Sequence, residues 1–274
     1  MDEKASYYFQ SIDQIYQECK QNKTDICKAM SKITHSIPTH SFPVAEKVQL
    51  SNYILKKLTK EERKALAQQL LEEQVIKQRN KLNHWSFITA QSSQIDTGYI
   101  AQHLVSLQTQ IAGQGMRGKG DDLSDGSEVK SANFLDSLDK RGAVSPRWNF
   151  TAGTPKIMEQ FLEYPALYLL SMDLNSCGKF RTRIWKVNVQ LDSILTKRYK
   201  LWMKILGYPK FNSSEKQSVN FQLFPPHSGT EESYARHGKG QTFEKIQIPL
   251  ENQPYAKLIF RADEEDGNIK ISKF

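Results

Sequence analysis

Four side chains within ten positions could act together: Asp121, Asp122, Glu128 and Lys130. A strand over Ser127 to Ala132 puts Glu128 and Lys130 on one face and Val129 on the other, because strand side chains alternate. Just upstream, Ser124-Asp125-Gly126 is a turn signal. If the chain doubles back there, an aspartate meets Glu128 across the turn. Two acids and one lysine then surround a single point. Carboxylate oxygens suit Mg²⁺, which keeps several of its waters. Such an ion polarises a phosphate and makes water more acidic. A nearby lysine offsets the charge that develops. The chemistry would be metal-assisted hydrolysis of a phosphodiester. The plain alternative is a solvated acidic turn running into an ordinary edge strand, since short motifs recur by chance.

Several elements must position this segment. Asp96 is placed to cap a helix on which Ile100, Leu104, Leu107 and Ile111 share a face. That helix runs into a glycine-rich stretch, Gly113 to Gly120. Downstream, Thr154 to Leu162 reads as a helix. Tyr168 to Leu174 and Phe180 to Val189 read as strands joined by the turn Asn175-Ser176-Cys177-Gly178. Leu191 to Leu206 reads as a helix that buries Leu201, Ile205 and one aromatic, with its lysines in water. Val219 to Phe224, Phe243 to Ile248, Lys257 to Arg261 and Ile269 to Ser272 read as strands. The first ~90 residues look helical. There, Thr59-Lys60-Glu61-Glu62 is a capping box followed by Leu66, Leu70 and Leu71. The fold class expected is α/β: a mixed sheet flanked by helices, a helical subdomain over 1–92, and a β-rich C-terminal elaboration within 93–274.

The chain has 274 residues, 38% hydrophobic and 25% charged, with a net charge of +8. That composition fits a globular chain with a real core. No run approaches the ~20 apolar residues of a membrane span. Met1-Asp2-Glu3-Lys4 has no apolar run behind it, so no signal peptide is expected. Cys19, Cys27 and Cys177 form no CxxC pair, and reduced cytoplasmic thiols are the simple reading. The positive charge suits a polyanionic partner.

The acid–lysine segment resembles the PD-(D/E)XK nuclease superfamily. Its spacing is similar to that of the MutH-like nickases, with Asp121, Gly126, Glu128 and Lys130 matching. Gly120 stands where the superfamily usually has proline. More narrowly, residues 120–132 and Pro146-Arg147-Trp148-Asn149 resemble the MamI-type restriction endonucleases. The likeness is good over 96–149, coarse in the last third and slight in the first ninety residues. It implies a type II restriction endonuclease: Mg²⁺-dependent, acting on double-stranded DNA, homodimeric, in a prokaryotic cytoplasm. It also implies Asp121 and Glu128 as metal ligands and Lys130 as the catalytic lysine. Asp121 fits the spacing best, Asp122 is a close second, and Asp125 suits the turn. Two other readings stay open: a nicking or repair endonuclease, and a non-catalytic nucleic-acid-binding protein.

Other segments are weaker. Gly113-Gln114-Gly115-Met116-Arg117-Gly118 matches GxGxxG, but it follows a helix rather than a strand, so a dinucleotide site is not expected. It is a connector, or Arg117 and Lys119 meet DNA phosphates. Trp148 suits a structural anchor, while Arg147 and Asn149 could read base edges. Ser228 to Gln241 reads as a long polar loop, with Arg236 and Lys239 as further DNA contacts. His35 and His40 lack the partners a metal site needs.

Overall fold

A computed structural model describes residues 3–37, 42–91, 95–115, 121–133, 147–152, 154–173, 180–208, 219–223, 234–236, 242–244 and 255–274. The first part is helical: α1 (Glu3–Gln21), α2 (Ile26–Ser36), α3 (Val44–Lys57) and α4 (Lys60–Leu71). The capping box forms as expected: Thr59 Oγ1 accepts from the Glu62 amide, and Glu62 accepts from the Thr59 amide. After Leu71 the helix continues through a wide π-turn (Glu72–Lys77) into α5 (Gln78–Thr89). Thr89 is followed by Ala90 in the left-handed region, which ends the helix. Next, Asp96 caps α6 (Thr97–Thr109) by accepting from the Gly98 amide at 2.9 Å.

The central sheet has five strands in the order β1 (Glu128–Asn133), β3 (Leu167–Asp173), β4 (Arg181–Val187), β8 (Ala256–Glu265), β9 (Asn268–Lys273). β1 runs parallel to β3, and the remaining pairs are antiparallel. The parallel crossover contains α7 (Pro155–Glu163), with Thr154 as cap. It also contains β2 (Trp148–Ala152), which pairs with β5 (Val219–Leu223) in a separate two-stranded sheet. The strands and helices expected between Ser127 and Leu206 are present, the turn at 175–178 and residues 245–248 of an expected strand lie outside the described residues, and β2 is an addition. Trp148 is an anchor as expected: it is fully buried and donates Nε1–H to the Leu170 carbonyl at 2.8 Å.

Both faces of the sheet are covered, which is why β3 reads as a nearly unbroken apolar run. On one face Tyr168, Leu170, Met172, Ile184 and Phe260 pack with α4 and α6. On the other, Leu167, Leu169, Trp185 and Val187 pack against β2, β5, α7 and α8 (Ser193–Ile205). Phe161 of α7 stacks on Tyr199 of α8 with ring centroids 4.0 Å apart, and meets Phe150 and Phe221 edge-on. Phe161→Ala is therefore expected to cost about 3–5 kcal/mol, from lost burial plus a cavity. Urea unfolding checks this; a loss under about 1 kcal/mol would mean that α7 and α8 are not locked through this ring.

α8 corrects one expectation. Its buried side chains are Leu195, Tyr199, Trp202 and Met203, whereas Leu201 and Ile205 are exposed. The buried stripe follows i, i+4, i+7, i+8, and it takes both aromatics rather than one. A second correction lies in the expected polar loop 228–241. Tyr234–Arg236 forms β6, paired antiparallel with β7 (Thr242–Glu244); the rest of that loop lies outside the described residues. Among the described residues, no helix is long and apolar enough to cross a membrane.

Candidate active site

The turn ahead of β1 is built by its own residues. Asp125 Oδ1 accepts from the Ser127 amide at 2.9 Å and Oδ2 from the Ser127 hydroxyl at 3.1 Å. Asp125 thus has the turn role expected of it. Gly126 sits at φ +86°, a left-handed conformation that glycine adopts without strain. Leu123 donates to the Ser127 carbonyl, which closes the turn, and forms a bridge with Gly113. Gly113 and Gly115 therefore belong to a connector that bridges to the acid turn at Gly113 and bends at Gly115, not to a strand-to-helix dinucleotide loop.

β1 divides its side chains as alternation requires. Val129 faces the core shared with α6. Glu128 and Lys130 point to the other face, where the Lys130 ammonium donates to Glu128 Oε1. Lys130 also lies 5.8 Å from the centre of the Phe150 ring. Glu128 is 4% exposed, and its Oε2 has no hydrogen-bond partner among the described residues. Burial pushes the Glu128 carboxyl up to about 7; Lys130 pulls it down, while Asp122 and then Asp121 push it further up.

The two aspartates are held differently. Asp122 Oδ2 accepts from the Val129 amide at 2.9 Å, and Oδ1 from Gln102 Nε2 on α6 at 2.6 Å. Burial raises its carboxyl, offset in part by the Val129 amide and the Lys130 charge. Asp121 Oδ1 accepts from Gln160 Nε2 on α7 at 2.7 Å, and its Oδ2 has no partner among the described residues. A cleft of about 1360 Å³ between α3, α4 and α6 opens onto both aspartates.

Three neighbours carry no signal of type or spacing: Gln102, Gln160 and Tyr164. Gln160 lies on α7, and Tyr164 is the residue that ends it. The Tyr164 phenol is pushed up first by burial, then by the charges of Glu128, Asp121 and Asp122. Among the described residues, no three His, Cys, Asp or Glu side chains converge into a ready-made cation cluster.

The expected DNA contacts are only partly placed. Arg147 is half-buried at the start of β2 and Asn149 is exposed on it. Arg117 and Lys119 lie outside the described residues, as does Lys239. Arg236 is placed only as part of β6. His35 bonds back to the Ser31 carbonyl within α2, and His40 lies outside the described residues.

A mixed α/β sheet whose edge strand presents a desolvated glutamate and a lysine beside an acidic turn defines the class. The chain belongs to the MamI restriction endonuclease family, which it matches over residues 84–262. The type II restriction enzyme MamI of Microbacterium ammoniaphilum is 33% identical over 199 residues, covering 67% of this chain and 60% of that protein. The chain thus spans less than two thirds of that relative's length. The region matched by the family runs from the middle of α5 into β8 and includes every acid of the site. No solved structure matches the chain.

Proposed function

We propose that this chain is a type II restriction endonuclease that hydrolyses phosphodiester bonds of double-stranded DNA at a specific sequence, with Mg²⁺ as cofactor. The observation that carries the reading is the Glu128–Lys130 pair, with the buried Glu128 Oε2 left unpaired among the described residues. A buried carboxylate oxygen without a partner is costly, and a cation is what such an oxygen lacks. The donor set fits Mg²⁺, which is held by one or two carboxylates and completes its shell with substrate oxygens and water. When bound, the ion polarises the scissile phosphate and acidifies water.

In this reading Glu128 and Asp122 are the ligand pair, and Asp121 is a third acid at the rim. Support for ranking Asp122 first comes from its stronger push on the Glu128 carboxyl and from its seat on the Val129 amide, between Glu128 and Lys130. Asp121 keeps one oxygen without a partner among the described residues and has the better sequence spacing. Gln102 holds Asp122 in orientation, and Gln160 does the same for Asp121. Lys130 is anchored by Glu128, which keeps its ammonium beside the carboxylate that would hold the ion. The water oxygen gives up a proton to solvent as it bonds to phosphorus, the bond to one sugar oxygen breaks, and that oxygen takes a proton from a second water as it leaves. Lys130 offsets the charge that builds on the phosphate meanwhile. A palindromic site cut by a homodimer would use one such centre per strand. The same reading puts the enzyme in a prokaryotic cytoplasm.

Plasmid DNA incubated with the protein and Mg²⁺ is expected to give discrete fragments, and none in EDTA. Nicked circles alone would replace the double-strand cutter with a nickase. Intact DNA that is nonetheless retarded in a gel would replace the enzyme with a binder.

A further inference from the structure

The face of the sheet that carries Glu128 and Lys130 carries more charge further along. Glu128 is opposite Leu167 and Lys130 opposite Leu169. The next row on this face runs Ala132, Ser171, Arg183, Arg261 across β1, β3, β4 and β8. Lys273 of β9 stands opposite Arg261, past a shift in register. Residues opposite each other on adjacent strands share a face, and like charges placed so destabilise a sheet. Asp263 relieves only part of this. Arg183 Nη2 donates to Asp263 Oδ1 at 2.6 Å and Arg261 Nε to Oδ2 at 3.1 Å. Among the described residues, one carboxylate between these two guanidiniums leaves a positive charge over, before Arg181, which is opposite Asp263, and Lys273 are counted.

The two arginines are used differently. Arg183 also donates to the Thr182 and Ala262 carbonyls at 2.9 Å, so most of its donors are spent inside the sheet. Arg261 is bound only through Nε among the described residues. Its side chain is 53% exposed, and its two terminal nitrogens have no partner among them. Asp263 thereby fixes the plane of the Arg261 guanidinium and leaves its forked edge open. That edge matches two oxygens of a phosphate. Sheet geometry puts the Arg261 backbone three strands across and one two-residue step along from Lys130, or ~16 Å. Measured along a duplex axis, that is roughly five nucleotides.

We infer that Arg261, oriented by Asp263 and backed by Arg183 and Lys273, is a phosphate-binding site that holds the DNA backbone about five nucleotides from the bond cut at Glu128 and Lys130. The inference rests on the nuclease reading and adds a second hold on the duplex: at the exposed β8 end of this face, beyond the buried Ala132 and Ser171 and the layer of β2, β5, α7 and α8. Lys186 and Lys257 supply an internal comparison. They are also opposed on β4 and β8, but on the other face, where Lys186 lies over the Tyr168 ring.

The test is a salt titration of binding by the full chain to a fluorescent duplex of about 30 base pairs without divalent ions, so that nothing is cut. Each phosphate contact contributes about 0.9 to the slope of log K against log salt. Removing Arg261 and Lys273 together (R261A/K273A) should lower that slope by about 1 to 2. R261Q alone should lower it by about 1, and it reports even if the double variant folds poorly. K186A/K257A should leave it unchanged. An unchanged slope in R261Q, or an equal fall in K186A/K257A, overturns the inference. A wild-type protein that neither binds nor cuts DNA overturns the nuclease reading instead.

Discussion

Glutamine in place of Glu128 is expected to abolish DNA cleavage and, in the absence of divalent ions, to make the fold more stable at pH 8. The first half follows from losing the carboxylate beside Lys130; removal of one such group commonly costs about 10²–10³ or more in rate. The second half follows from linkage. The Glu128 carboxyl is raised from 4.5 to about 7 by the fold. A raised carboxyl favours the folded state fully while it is protonated, below about 4.5. That contribution is lost as pH rises through the folded value of about 7. Above it, ionised Glu128 costs about 3 kcal/mol relative to an acid of ordinary pKa. The amide that replaces the carboxyl carries no charge at any pH and avoids that loss.

Thermal melts from about pH 4.5 to 8 test this without any activity assay. The wild type without divalent ions should lose several degrees of Tm relative to Glu128→Gln, with the divergence falling between the unfolded value of 4.5 and the folded value of about 7. Adding Mg²⁺ at pH 8 should then raise the Tm of the wild type and leave that of the variant in place. Parallel pH profiles for the two proteins would mean that Glu128 is not the strained carboxyl, and cleavage by the variant at the normal rate would remove it from the site.

What is readable in advance follows from which interactions are local. The Thr59 capping box, the Asp96 cap of α6 and the Glu128/Lys130 alternation each depend on residues within a few positions of one another, and each is present. β2 depends on β5, about seventy residues away, so Trp148-Asn149-Phe150 reads as a loop with one anchor. The π-turn at Glu72–Lys77 adds a residue to a helical period that shows no break in composition. In α8 the charges at Lys197, Arg198, Lys200 and Lys204 leave two possible apolar stripes, and packing against Phe161 and Phe221 selects the one with Tyr199 and Trp202. Gln102 and Gln160 are common helical residues; they become members of the site only once α6 and α7 dock on opposite sides of the acid turn. Arg261 stands at the end of an expected strand with no sign that Arg183 is its neighbour, because cross-strand register is a tertiary property.

Asp121 and Asp122 show where alternation stops helping, and the second large effect separates them. Neither lies in a strand, so neither side chain has a face fixed by strand geometry. Asp122→Asn is expected to reduce cleavage by about 10²–10³, as loss of a charge facing the reacting phosphate does. Asp121→Asn is expected to cost about tenfold, the low end of what a supporting polar partner contributes. The asymmetry has three sources. Asp122 acts on Glu128 more strongly than Asp121 does, and feels Lys130 directly. Its two oxygens are aimed by donors on two different elements, the Val129 amide and Gln102, whereas Asp121 is steered by Gln160 alone among the described residues. It also lies one residue closer along the hairpin to Glu128. Single-turnover rates on a cleaved plasmid, with duplex binding measured alongside, give the comparison. Asp121→Asn losing at least about tenfold more rate than Asp122→Asn would reverse the ranking and make Gln160, rather than Gln102, the residue that orients the metal ligand. Gln102→Ala then serves as an independent reading of the same question. If Asp122 is the ligand, freeing its Oδ1 should lower the rate with the effect largest at limiting Mg²⁺; if Asp121 is, the rate should depend on Mg²⁺ as in the wild type.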